Sequence, residues 1–99
     1  MIVVANRIYV SPGYEEAFEA RFKGRARLVD QAAGFVRNEV LRPLKAGAPY
    51  IVMTHWADEA SFRAWTESGA FREAHANPPP GDMFSRPNEF EMHEVLEQD

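Results

Sequence analysis

The chain has 99 residues, of which 45% are hydrophobic and 26% charged, and its formal net charge is −4 at pH 7. These values indicate one globular domain spanning residues 1–99, and they argue against a disordered or membrane-spanning chain and against nucleic-acid binding, which requires a basic excess. The lack of cysteine excludes disulfides, thiolate metal sites and a cysteine nucleophile. The start of the chain lacks the pattern of a secretory signal, so we expect a cytoplasmic protein.

The first half of the chain predicts a strand, a helix and a hairpin. Residues 2–10 are rich in Ile and Val and end at the turn sequence Ser11-Pro12-Gly13. Residues 14–30 carry apolar side chains at helical spacing, with glutamates at the start, which predicts one helix. Residues 35–41 and 50–56 are β-prone runs whose connection contains two prolines and a glycine, as a hairpin connection would.

The second half predicts a broken helix and a last strand. Asp58 is placed to cap a helix, and Ser68-Gly69 interrupts the helical pattern, so we expect two short pieces with a bend. The segment 77–82 contains three consecutive prolines and cannot continue a helix. Residues 90–96 alternate apolar with polar side chains, which predicts the fourth strand.

The predicted order β-α-β-β-α-β is that of the ferredoxin-like α+β fold, in which a four-stranded antiparallel sheet carries both helices on one face. The other face of such a sheet is left uncovered. Packing this bare face against a second copy would remove an exposed apolar surface, so we expect a homodimer of the dimeric α+β barrel type.

Three side chains stand out as candidates for chemistry. Asn6 shares its strand face with Val4 and Ile8, where an unpaired amide would cost about 1–3 kcal/mol. His75 lies one turn after Phe71 and just before the prolines, at the rim of a possible apolar cleft, and Trp65 could border the same cleft. Taken alone, each has a plainer interpretation: a backbone or water partner for the amide, a surface role for the histidine, and core packing for the tryptophan.

Other histidines compete with His75 as metal ligands, since His55 and His93 lie on predicted strands. A single imidazole holds a metal firmly only where a cofactor supplies the other ligands, as a porphyrin does. Phe22, on the first predicted helix, is either a core residue or a wall of the same cleft. From the residues alone, the interpretation stops at an α+β domain with a possible apolar cleft beside the second helix.

Several sequence segments together resemble one family. They are Asn6, Gly34-Phe35, Glu39-Val40-Leu41-Arg42-Pro43, Thr54-His55-Trp56, Phe62-Arg63-Ala64-Trp65, Ser68, Phe71 and Ala74-His75. Spread over nearly the whole chain, they resemble the Isd-type heme-degrading branch of the antibiotic biosynthesis monooxygenase superfamily, and within it most of all the mycobacterial-type members. The combination of Asn, Trp and His at these positions is similar to the catalytic triad of that branch.

The resemblance implies that heme is both substrate and cofactor, and that the porphyrin is opened oxidatively with O2 and electrons from an external donor, releasing iron. His75 would be the axial ligand to the iron, Asn6 would hydrogen-bond on the opposite side, and Trp65 would press on the porphyrin. The remaining cofactor-binding side chains implied are Phe22, Arg25, Val52 and Phe71. The expected partners are heme, a second copy of the chain and an unidentified reductase or small reductant, without nucleic acid or membrane.

Three other functions remain open at this point: a cofactor-independent monooxygenase of polyketide or quinone-like aromatics, a heme-binding protein without turnover, and a dimeric stress-related domain without a ligand. The run Pro78-Pro79-Pro80 departs from the family pattern and will shape the mouth of the cleft. Arg21 and Arg25, predicted one turn apart on the first helix, are candidates to pair with the heme propionates, or else belong to a solvated face.

Overall fold

The computed structural model describes residues 1–25 and 27–98. Its elements are β1 (Ile2–Ile8), α1 (Glu15–Lys23), a 3₁₀ helix (Leu28–Gln31), β2 (Phe35–Leu41), β3 (Tyr50–Trp56), α2 (Glu59–Thr66), α3 (Gly69–Ala74), a 3₁₀ turn (Gly81–Met83) and β4 (Glu89–Glu94). The strands form one antiparallel sheet in the order β2-β3-β1-β4. This topology confirms the predicted ferredoxin-like α+β fold.

The first helix is shorter than predicted. It ends at Lys23, with Gly24 as its C-cap, and the chain forms a separate 3₁₀ helix only from Leu28. Glycine is among the poorest helix formers, because it loses the most backbone freedom on folding, and Arg27 at φ 54° lies in the left-handed region. The prediction of one helix over residues 14–30 was therefore wrong in its second half.

The broken second helix is as predicted. The Asp58 carboxylate accepts a hydrogen bond from the Ser61 backbone N–H at 2.8 Å and caps α2. The Ser68 hydroxyl likewise accepts from the Phe71 N–H at 3.1 Å and starts α3. The outer strands differ slightly in length from the prediction: β1 ends at Ile8, although Val10 still forms an isolated bridge, and β4 runs from Glu89 to Glu94.

Two separate apolar clusters cover the helix side of the sheet. The α1 cluster is formed by Ile8, Phe18, Tyr50 and Met83, and the α2–α3 cluster by Val4, Trp56 and Trp65. Small domains usually have one contiguous core. Here the division falls at Asn6, which lies on β1 between Val4 of one cluster and Ile8 of the other, and belongs to neither.

The opposite face of the sheet carries no helix of the described chain. The apolar side chains that point to this face are Val3, Ala5, Leu41, Ile51 and Met53. The same face carries two ion pairs, Arg7–Glu91 at 3.0 Å and His55–Glu39 at 2.9 Å. The homodimer that would cover this bare face stays a prediction. No helix among the described residues has the length and apolar character needed to cross a membrane.

Candidate functional site

A shallow groove crosses the helix side of the sheet at the division between the two clusters. The strand register aligns Val40, Val52, Asn6 and Phe90 in one row across β2, β3, β1 and β4. The helices leave this row partly uncovered, since Val40 is 37% and Phe90 58% exposed. We call this row the central groove; its floor is apolar except for the Asn6 amide.

The two clusters form the walls of the central groove. On one side, Phe22 of α1 packs on Phe18, with ring centroids 5.0 Å apart. On the other side, Trp65 meets Phe71 edge-on at 5.7 Å. Trp65 is only 9% exposed and packs with Val4 and Trp56, so its ring is a firm part of the α2–α3 wall.

His75 caps the C-terminal end of α3 and is exposed. Its Nδ1 lies 2.8 Å from the Phe71 carbonyl oxygen, and its ring lies 4.1 Å from the Phe71 ring. A carbonyl oxygen only accepts hydrogen bonds, so Nδ1 carries the proton and Nε2 presents a lone pair. Histidines that bind metals are commonly held in this way, with the non-ligating nitrogen donating to a carbonyl or carboxylate.

Contacts from α1 hold the end of α3 beside it. The Arg21 guanidinium donates a hydrogen bond to the carbonyl of Asn77, which lies two residues after His75. Further along the same loop, the Tyr14 hydroxyl donates to the Asp82 carboxylate at 3.4 Å. These contacts hold the loop that follows His75 against α1, the helix that carries Phe22.

The two competing histidines belong to the bare face. His55 is 6% exposed and its Nε2 lies 2.9 Å from the Glu39 carboxylate. That hydrogen bond from His55, aided by Arg37, lowers the pKa of Glu39. His93 pairs with Val3 in the register of β1 and β4, which places it on the same bare face. His75 is therefore the one histidine of the three on the helix side of the sheet.

A cleft of about 670 Å³, which we call the α1–β2 cleft, opens beside Phe22 between α1 and β2. The residues that line this cleft include Phe22, Arg25, Phe35, Asn38 and Val40. Arg25 does not lie on α1, as predicted, but beyond its C-cap, where its Nη1 donates to the Phe22 carbonyl at 3.0 Å. Burial, followed by the charge of Arg27, lowers the pKa of Arg25.

One end of the α1–β2 cleft is fixed by a cluster around Glu19. Its carboxylate accepts hydrogen bonds from Arg42 Nε at 2.8 Å and from the Tyr50 hydroxyl at 2.6 Å. The hydrogen bonds from Arg42 and then Tyr50 lower the pKa of Glu19 to about 2, while burial and the bond to Glu19 raise the pKa of Tyr50 to about 12. These contacts tie α1 to β3 and to Arg42, the residue that follows β2, one turn before Phe22.

The predicted site residues fall into three groups. Asn6 and Val52 are paired across the floor of the central groove, Phe22 and Arg25 line the α1–β2 cleft, and Phe71 joins Trp65 to His75. The structure does not enclose them in one cavity, and Trp65 also borders a second depression, between the 3₁₀ helix and α2–α3.

Asn38 was not predicted as a site residue. It lies on the helix side of β2, and its side-chain oxygen is buried without a hydrogen-bond partner among the described residues. The signal was present in the sequence, because Asn38 shares its strand face with Val40 as Asn6 does with Val4 and Ile8.

Comparison with known proteins shows the family of the chain. A heme oxygenase (mycobilin-producing) of Mycobacterium tuberculosis is 39% identical over 75 residues, 76% of this chain and 70% of that protein. A heme oxygenase (staphylobilin-producing) of Staphylococcus haemolyticus is 38% identical over 79 residues, 78% of this chain and 75% of that protein. The structure of the M. tuberculosis heme-degrader MhuD with two hemes in its active site matches 100% of this chain and 99% of that one, with a TM-score of 0.83 and 31% identity. The family model for antibiotic biosynthesis monooxygenases matches residues 1–77, and the chain belongs to this family.

Proposed function

We propose that this protein is a heme-degrading monooxygenase, which binds heme over the central groove and opens the porphyrin oxidatively. The observation that carries the proposal is His75, an exposed imidazole whose proton is held on Nδ1 by the Phe71 carbonyl and whose Nε2 is left as a ligand. The relatives named heme oxygenases and the heme-bound structure of MhuD support the same activity.

The residues of the central groove suit a porphyrin. A large planar macrocycle requires an apolar bed, aromatic walls and one nitrogen ligand, because the porphyrin supplies four nitrogens itself. Val52 and Phe90 provide the bed, and Phe22 and Phe71 stand on the two walls. At the division of the core, Asn6 and Val52 stay partly exposed on the helix side of the sheet, so a ligand lying there would contact both.

Each proposed role follows from the chemistry of the side chain. His75 binds the iron through Nε2, and Asn6 provides a neutral hydrogen-bond donor on the sheet side of the ring. An amide there stabilises developing negative charge without introducing a group that titrates. Trp65, held firmly in the α2–α3 cluster, fixes the wall against which the ring rests. Arg25 is the cation placed to pair with a propionate.

When bound, heme supplies the iron centre for reaction with O2 and the macrocycle that is cleaved. The electrons come from an external reductase or small reductant. The active form is a homodimer in which the bare faces of two sheets pack together. Sedimentation equilibrium at micromolar concentration tests the dimer, and an 11.3 kDa species throughout that range would contradict it.

The activity is tested by titrating the protein with hemin and then adding ascorbate under air. We expect a Soret band that saturates at a fixed stoichiometry and then bleaches as iron becomes available to a chelator. His93→Ala is the matched control, because it removes a histidine outside the central groove. Provided that the variant still sediments as the parent does, neither step should change.

The alternative functions give different results in the same experiment. Saturable binding without bleaching would identify a heme-binding protein without turnover. An absence of saturable binding would contradict the proposal and favour a cofactor-independent monooxygenase acting on aromatic substrates.

A further inference from the structure

We propose that Arg21 is a positioning residue for the iron ligand, since it holds the end of α3 that carries His75 by binding the backbone carbonyl of Asn77. The inference rests on the proposed function, in which His75 binds heme iron. It gives Arg21 a task other than pairing with a heme propionate or belonging to a solvated face, the two that the sequence suggests.

The first observation is that α3 is too short to hold His75 firmly by itself. The helix has six residues, and His75 is its C-cap. The imidazole Nδ1 and the backbone N–H of His75 both donate to the Phe71 carbonyl, at 2.8 and 3.1 Å, so ring and backbone depend on one acceptor of the last turn. An isolated helix of this length is unstable in water, and helix ends fray. His75 therefore needs support from outside α3.

The second observation is a contact from α1 that can give this support. The Arg21 guanidinium donates a hydrogen bond to the Asn77 carbonyl. A hydrogen bond from a charged donor is stronger than one between neutral groups. Only Ala76 separates Asn77 from His75, so a fixed Asn77 carbonyl limits how far the end of α3 can move.

The third observation is that Arg21 stands on a fixed helix. A hydrogen bond restrains a mobile segment only if its other partner is itself held in place. On α1, Phe18 is buried in the α1 cluster, and the Glu19 carboxylate accepts hydrogen bonds from Arg42 Nε and from the Tyr50 hydroxyl. Both residues lie within one turn of Arg21, so the donor side of the contact is anchored to the sheet.

The fourth observation is the stiffness of the segment that follows Asn77. Residues 78–80 are consecutive prolines, whose rings fix φ, and Pro80 at φ −57° and ψ 142° has the polyproline II conformation. The far end of the segment is also fixed, because Met83 is buried in the α1 cluster. The loop 77–83 is therefore a stiff connection with both ends held on α1, and it has little slack to absorb a movement of Asn77.

The first test needs no heme and measures the tautomer of His75. A neutral histidine that nothing holds is mostly protonated on Nε2, whereas the contact with the Phe71 carbonyl keeps the proton on Nδ1. Two-bond ¹H–¹⁵N spectra at alkaline pH give the ratio of the two forms. We expect Nδ1–H to dominate in the parent, and its ratio to Nε2–H to fall severalfold in Arg21→Met, which has an unbranched side chain without a donor.

Two further variants complete this measurement. Lys23→Met is the matched control, because it removes an exposed cation from the same helix, two positions further on and therefore facing another way. Its tautomer ratio should equal that of the parent. Arg21→Lys keeps a charged donor and should lie between the parent and Arg21→Met; it also decides the question if Arg21→Met does not fold. A ratio unchanged in both Arg21 variants would overturn the inference.

The second test is a double-mutant cycle on hemin affinity, with the parent, Arg21→Met, His75→Ala and the double variant. The two proteins without His75 are measured with free imidazole as the iron ligand. We expect Arg21→Met to weaken hemin binding about tenfold where His75 is the ligand, and not where imidazole is, because imidazole is not attached to α3. Equal weakening in both cases would mean that Arg21 contacts heme itself, for example a propionate, and would overturn the inference.

The two tests separate this inference from the proposed function. If the parent neither binds hemin saturably nor bleaches it, the proposed function fails. The tautomer of His75 in the heme-free protein still decides whether Arg21 holds that side chain in place.

Discussion

The two faces of the sheet carry histidines in opposite situations. On the bare face, His55 is buried and its Nε2 is occupied by the Glu39 carboxylate. On the helix side, His75 is exposed, its Nδ1 is fixed by a backbone carbonyl, and its Nε2 is left with a lone pair. His75 is the proposed ligand because its Nε2 is free and because it lies on the helix side of the sheet, and not because of its residue type alone.

The comparison is tested most strongly by removing each histidine in turn. His75→Ala should abolish stoichiometric heme ligation, because it deletes the only imidazole on the helix side. His55→Ala should lower the melting temperature, since it leaves the Glu39 carboxylate without its buried partner, but should leave the heme spectrum intact. Hemin titrations followed at the Soret band, with melting curves, check both. Loss of the spectrum in His55→Ala alone would reverse the assignment.

The next effect in size is expected at the floor of the central groove. Asn6→Ala removes a placed hydrogen-bond donor, and losing one such donor typically lowers a rate by on the order of 10²–10³. The iron ligand is untouched, so hemin affinity should change little. Bleaching rate and hemin affinity are measured on the same sample. A variant that degrades heme at the parent rate would show that the amide only fills the division between the clusters.

The variant Trp65→Phe distinguishes a role of this side chain in positioning the porphyrin from a role in core packing. Trp65 packs with Val4 and Trp56, so the smaller ring should cost about 1–3 kcal/mol of stability. If the ring also positions the porphyrin, turnover per folded molecule falls as well. Melting temperature and bleaching rate, normalised to bound hemin, distinguish the two contributions. A lower melting temperature with unchanged turnover per folded molecule would show that Trp65 serves only in core packing.

The smallest effect concerns acid stability at the α1 wall. Hydrogen bonds from Arg42 and Tyr50 lower the pKa of Glu19 from 4.5 to about 2 in the folded protein. A group whose pKa is lowered on folding stabilises the protein above its unfolded pKa, and this contribution is lost as the pH falls through the folded value. The parent should therefore melt higher than Glu19→Gln at pH 7, with the difference shrinking between about pH 4.5 and 2. A difference that is constant over this range would exclude the carboxylate as its source.

Most of the fold could be predicted from the sequence, because its signals are local. Runs of β-prone residues predict β2 and β3, and the side chains of Asp58 and Ser68 start the two pieces of the second helix as their types suggest. The end of α1 was missed, because helical spacing continues past Gly24 to Val29 and competed with the low helix propensity of glycine.

The site could be predicted only in part, for a physical reason. That Asn6 is a polar residue in an apolar face is visible in the strand pattern. The free Nε2 of His75 depends on its contact with the Phe71 carbonyl, and the unpartnered oxygen of Asn38 depends on its burial on the helix side of β2. Such contacts arise from tertiary packing, which spacing along the chain does not encode.

The most direct test of the account is the resonance Raman spectrum of the ferrous heme complex, recorded without oxygen for the parent protein and His75→Ala. We predict an iron–histidine stretching band in the parent, its loss in the variant, and an iron–imidazole band when free imidazole is added to that variant. An iron–histidine band that persists in His75→Ala without imidazole would contradict the account, because another residue would then hold the iron.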